Sequence, residues 1–217
     1  MKPLERRGPA RRAAVAGAGG AAWITAAVVV AGLAEPGYRH RSQFVSELGA
    51  RGAAHGELFS FAGFLPAGIL LLAFAVLAAR SVPAGALSVL GFGGLAFYAA
   101  GYVVAAVFRC DPGCDLADPS ASQVVHAVIG GLGYPVGAVS VILLGVAALR
   151  WPGVVAWHAA LGIAAGLAAL VATLFVVPGF AWLGVAQRIV EGCVLGWILA
   201  CSIYLARASG RDRVPAA

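Results

Sequence analysis

Residues 58–79 read LFSFAGFLPAGILLLAFAVLAA, without a single charged side chain. A helix needs about 20 mostly apolar residues to cross roughly 30 Å of hydrocarbon, so this stretch alone predicts a transmembrane helix. The basic, proline-containing turn RSVP at 80–83 follows, and residues 84–108 are apolar enough to cross back. Working outward, residues 13–34, 124–149, 154–177 and 184–206 qualify likewise, making six spans. None alternates with period two, so a β-barrel is not supported. Within lipid every backbone N–H and C=O must be satisfied inside the protein, which leaves helices. The expected fold is all-α, a six-transmembrane-helix bundle. It comprises a basic tail at 1–12, a membrane domain at 13–206 and a second tail at 207–217.

Composition agrees. The 217 residues are 61% hydrophobic and 11% charged, with mean hydropathy +0.92. Soluble domains run about 45–50% apolar and about 25% charged. The same figures exclude disorder, collagen-like repeats and a disulfide-dense secreted scaffold. The first apolar run is longer than the roughly 7–15 residues of a signal-peptide core, so an uncleaved anchor is expected.

Basic residues set the orientation. With the amino terminus inside, Lys2, Arg6, Arg7, Arg11, Arg12, Arg80, Arg150, Arg207, Arg211 and Arg213 face the cytoplasm. Arg39, Arg41, Arg51, Arg109 and Arg188 face outside. Ten against five places both termini in the cytoplasm. Seven of the nine acidic residues fall outside, so the formal net charge of +6 divides into +8 inside and −2 outside. The basic rim suits anionic lipid headgroups better than nucleic acid. Fourteen arginines beside one lysine, with abundant alanine and glycine, point to a GC-rich bacterial genome and a bacterial cell membrane.

The inner connections are hairpin-tight, whereas two outer ones are long: residues 35–57 and residues 109–123. Loops of that length are usually functional or disordered. Their aromatics, paired charges and turn residues predict order, with a short interfacial helix at residues 42–48. Cys110 and Cys114 bracket Asp-Pro-Gly, a strong turn signal, in an oxidising compartment. A disulfide is the first reading. A metal or redox pair is its rival, without the C-x-x-C spacing. Cys193 and Cys201 are expected to pack as small apolar residues inside the sixth span.

Ionisable residues at membrane depth mark a site by default. His126 shares a helical face with Gly130, Gly133, Tyr134 and Gly137, a stripe read as a packing face. Arg188 and Glu191 are helical neighbours able to neutralise one another. Tyr98, Gly101, Tyr102, Ala105 and Arg109 form another stripe. Pro66 and Pro135 each remove a helix hydrogen bond and can open a kink. Ser46, Glu47, Arg109, Asp111, His126, Arg188 and Glu191 thus share one level near the outer interface. They form either an outward-facing ligand pocket or structural ion pairs that fasten the loops. His158, beside Trp157 at the inner end, reads as an interfacial or hydrogen-bonded histidine.

Four stretches carry a family resemblance: SELGARGAAHGELFSFAGFLPAG at 46–68, FRCDPGCD at 108–115, SQVVHAV at 122–128 and AQRIVEGCVLGW at 186–197. In order and spacing they resemble the bacterial and archaeal membrane proteins called domain of unknown function 998. That resemblance implies a six-helix bundle and brings no established activity, substrate or catalytic residue.

Absences narrow the chemistry. There is no P-loop, Schiff-base lysine, H-E-x-x-H, G-x-S-x-G or Rossmann fingerprint. Pro66 and Pro135 do not occupy equivalent places in two halves, as an inverted-repeat transporter would want. The first functional reading is a pocket that binds or moves a lipid headgroup or small amphiphile. The second is an acid–base enzyme acting on a lipid or prenyl substrate. In it His126 is acid or base, Glu47, Asp111 or Glu191 its partner, and Ser46 a candidate nucleophile. The third is a structural membrane subunit. No cofactor and no metal is called for, nucleic acid is not an expected partner, and homo-oligomers stay open.

Overall fold

The computed structural model describes residues 3–211, with side chains from 8 to 209. Lys2, Glu5, Arg6, Arg7, Arg211, Asp212 and Arg213, which enter the orientation count, lie outside the described side chains. Six helices follow in chain order: α1 (Pro3–Ala34), α2 (Gly56–Ala79), α3 (Ala86–Val107), α4 (Ala121–Ala148), α5 (Ala156–Thr173) and α6 (Leu183–Arg211). Each is long and apolar enough to cross a membrane, and no strand occurs among the described residues. The chain is a multi-pass helical membrane protein. Its α5 stops short of the sequence boundary, with Pro178 and the left-handed Gly179 (φ +83°) turning the chain toward α6.

Each helix packs against its neighbours in sequence, and α6 returns to α1, closing a ring that α4 and α6 bridge. The centre of the ring at the end bearing the termini is filled by aromatic side chains, with a groove of about 540 Å³ at its flank between α5 and α6. Phe74 of α2, Phe92 of α3, Trp151 between α4 and α5, and Trp197 of α6 are buried in consecutive ring contacts at 6.2–6.4 Å. Lipid supplies no hydrophobic drive between helices, so close backbone approach must hold them together. At the α4–α5 crossing a Cβ on Gly145 would lie 2.8 Å from the Ile163 nitrogen. One on Gly166 would lie 2.7 Å from the Ala138 oxygen.

The other glycine stripe behaves differently. The expected packing face at Gly130, Gly133 and Gly137 makes helix contact only at Gly137, which Tyr98 covers. A Cβ on Gly130 or Gly133 would meet nothing within 4 Å. The loop-side half of the bundle is therefore hollow along α4.

Both prolines are absorbed without breaking a span. Helix α4 runs continuously through Pro135. In α2 a π turn at Phe59–Phe64 precedes Pro66, which cannot donate to the carbonyl of Ala62 four residues earlier. The indole Nε1 of Trp23 on α1 donates to that carbonyl instead, at 2.8 Å. His158 departs from the interfacial reading. It is 4% exposed, packs among Trp157, Trp197 and Tyr204, and its Nε2 has no hydrogen-bond partner.

Trp23→Phe keeps the ring and removes the donor, leaving a carbonyl unsatisfied where water is scarce. Unfolding in detergent, followed by helical circular dichroism, should show a loss of about 1–3 kcal/mol. Unchanged stability would mean that the Ala62 carbonyl finds another partner.

Candidate functional site

The two long loops are ordered, and arginines hold them. Arg188, in the second turn of α6, donates from Nη1 to the Gly184 carbonyl at 2.9 Å. Its Nη2 donates to the Tyr38 hydroxyl and to His40 Nδ1, both at 2.8 Å. The Tyr38 hydroxyl in turn donates to the Phe44 carbonyl at 3.0 Å. Burial pushes the Tyr38 phenol up to about 12, outweighing the nearby guanidinium. Burial first and Arg188 second hold His40 below its ordinary value, which keeps Nδ1 free to accept. The Val45 N–H donates to Gln187 Oε1 at 2.8 Å, fastening the same loop one turn away. Within it Val45–Gly49 forms a short 3-10 helix, which starts later than the expected 42–48 and runs one residue past its end.

The second loop is bound to the first. Arg109 Nε donates to the Gly49 carbonyl at 2.8 Å, and its Nη2 to the Ala50 carbonyl at 2.7 Å. Asp111 accepts from the Ser120 N–H at 2.8 Å and the Ser120 hydroxyl at 2.9 Å. Those bonds, with Arg51 at 3.5 Å, hold its carboxyl below the usual carboxylate range. Ser120 also caps α4 by accepting from the Gln123 N–H. Cys110 and Cys114 are joined as a disulfide across the Gly113 turn (φ +70°). A ring nitrogen of His126 lies within 4.8 Å of both sulfurs. Bonded to each other, the sulfurs offer no thiolate for a metal.

Beneath this lid lies a cavity of about 310 Å³. Phe44, Val45 and Ser46 of the first loop and Cys114 of the second border it, together with Tyr98 and Tyr102 of α3. Helix α4 contributes Gln123, His126 and the Gly130–Gly133 stripe, and α6 contributes Gln187 and Glu191. Its exposed wall residues are Leu116, Gly131 and Pro178, so it meets the exterior between α4 and the α5–α6 connection.

Of the seven residues expected at one site, Ser46, His126 and Glu191 border the cavity. Glu47, Arg109, Asp111 and Arg188 do not. Glu47 accepts from Gln43 Nε2 and the Phe44 N–H, closing its own loop. Arg188 and Glu191 make no contact salt bridge, since the guanidinium hydrogen-bonds to the loop and to the Gly184 carbonyl of its own helix. Among the described residues the only salt bridge within 4 Å is Arg51–Asp111. Ser46 Oγ contacts Cys114 Sγ at 3.3 Å, and His126 Nδ1–H donates to the Phe108 carbonyl at 2.8 Å. Ser46, His126 and a carboxylate are thus not linked as a hydrolase would need. The pocket and the structural fastening, posed as alternatives, coexist on different residues. Sequence reading passed over Gln123 and placed Gln187 beside Arg188 and Glu191 on the sixth span without a role, yet these amides join the loops to the helices. A polar residue inside the first turns of each span was the available signal.

Because Arg188 must donate to His40 Nδ1, this contact exists only while the imidazole is neutral. With its folded pKa lowered, the unfolded chain binds the extra proton first. Stability is complete above about pH 6.5 and falls as pH drops through that value. Thermal melts at pH 7.5 and 5.5 should show a lower midpoint at the acid pH. His40→Asn, which keeps an acceptor without titrating, should shrink the difference; an identical difference would refute the contact's role.

Neither a curated protein nor a solved structure matches the chain. Residues 18–204 match the family described as protein of unknown function DUF998, and the chain belongs to that family.

Proposed function

We propose that this protein binds the head of a small amphiphile in its loop-side cavity, admitted sideways from the outer leaflet of a bacterial cell membrane. The termini lie in the cytoplasm in this reading, following the arginine asymmetry. One observation carries it: the cavity walls are mostly apolar, with a few polar groups converging at one level, as small-molecule sites are built. The exposed rim at Leu116, Gly131 and Pro178 lies along the flank of α4, where an acyl chain can trail into lipid while its head enters. His126 supports the same reading. Its Nδ1–H is taken by the Phe108 carbonyl, so Nε2 is left as an acceptor at the cavity wall.

Gly133 is the position for a test. It is buried, borders the cavity, and a Cβ there meets open space. Gly133→Leu should fill the cavity without disturbing a helix contact. Native mass spectrometry of protein extracted from membranes should find an amphiphile retained by the wild type. The variant should retain about tenfold less, equivalent to roughly 1.4 kcal/mol, at an unchanged melting temperature. Equal retention by both proteins, or none by the wild type, would overturn the reading.

A further inference from the structure

We propose that the head this cavity takes is a cationic amine, paired with the Glu191 carboxylate inside a wall of tyrosines; this rests on the binding reading above. Glu191 lies about 12 Å along α6 from its first residue, at 1.5 Å per residue. It is 8% exposed and borders the cavity. Its carboxylate has one weak hydrogen bond, from the Tyr134 hydroxyl to Oε1 at 3.4 Å. An unpaired carboxylate at such a place is costly.

The cations that sequence position offers are all engaged elsewhere. Arg188, three residues earlier on α6, donates to the Gly184 carbonyl, the Tyr38 hydroxyl and His40 Nδ1. Arg109 donates to the Gly49 and Ala50 carbonyls. Among the described residues no arginine or lysine borders the cavity.

The neutral groups reinforce the sign. The Val45 N–H donates to Gln187 Oε1, Gln187 Nε2 donates to the Tyr134 hydroxyl, and that hydroxyl donates to Glu191. The Val45 N–H and the Tyr134 hydroxyl are spent along this chain, which ends on a carboxylate oxygen, and His126 Nε2 is a second acceptor at the cavity. Tyr98 and Tyr102 stand edge to face at 5.5 Å with their hydroxyls 2.9 Å apart. Phe64 lies 5.8 Å from Tyr102. Aromatic faces carry negative potential and attract ammonium groups.

Three head chemistries can be weighed against this wall. A phosphate would meet a carboxylate and no cation. A neutral alcohol can hydrogen bond to Glu191 but leaves its charge uncompensated. An ammonium supplies both the charge and the N–H donors that the two acceptors want.

Dodecylamine, dodecanol and dodecyl phosphate, titrated at pH 7 into protein in zwitterionic nanodiscs, separate these chemistries. Gly133→Leu nanodiscs supply the background for partition into lipid. Binding above that background should be about tenfold or more tighter for the amine than for the alcohol, and absent for the phosphate. Glu191→Gln should abolish the preference, while Glu57→Gln, exposed at the start of α2 and outside the cavity, should keep it. Wild-type protein alone ranks the three probes, so a poorly folding Glu191→Gln chain leaves the result readable. Alcohol or phosphate binding as tightly as the amine would overturn the amine assignment and leave the cavity reading intact. A preference that survives Glu191→Gln would do the same. No binding above background by any probe would overturn both.

Discussion

The guanidinium of Arg188 decides the character of the loop-side half of this molecule. A charge at that depth must find partners inside the protein, and a helix offers it one carbonyl at most without help. Here the first long loop folds back over the start of α6, bringing Tyr38 and His40 to the guanidinium. Bound there, Arg188 makes no contact salt bridge with Glu191, one turn further along the same helix. The lid and the carboxylate left without a contact cation beneath it go together with that one set of hydrogen bonds.

The cavity itself arises from how small residues are distributed. Gly145 and Gly166 sit where α4 and α5 touch, and there the missing side chains let backbones meet. Gly130 and Gly133 lie elsewhere on the same α4, where the loops and the side chains of α3 and α6 stand back across the cavity. Their missing side chains leave space. One residue type thus does opposite things along one helix, depending on whether a neighbour can close in. Pro178 and Gly179 contribute by ending α5 early, so that nothing helical covers this part of α4.

The membrane spans were legible because hydrocarbon thickness imposes a length and an apolar composition that no other constraint mimics. The disulfide was legible because the Asp-Pro-Gly turn brings Cys110 and Cys114 together locally. The stripe of Tyr98, Gly101, Tyr102 and Ala105 was legible from helical periodicity, and all four border the cavity. Periodicity could not say where a flexible side chain on a shared face would reach. Arg188 and Glu191 at i and i+3 have the spacing of an ion pair, but the competing acceptors come from residues some 145–150 positions away. Arg109 was misplaced for the same reason: it ends a stripe that lines the cavity yet reaches for carbonyls of the other loop. The π turn before Pro66, and its rescue by Trp23 from α1, likewise depend on a contact between spans.

The aromatic core at the far end of the bundle limits what the hollow end can do. A solute that moved onward along the bundle axis would have to displace Phe92, Trp151 and Trp197, all buried, with Trp151 in ring contact with both of the others. Passage through them would require several large side chains to leave their places together, and interiors packed to this density have no slack to allow it. The flank between α4 and the α5–α6 connection needs no such rearrangement, since Gly131 and Pro178 are already exposed there. The cavity therefore opens at the flank of the bundle and not along its axis.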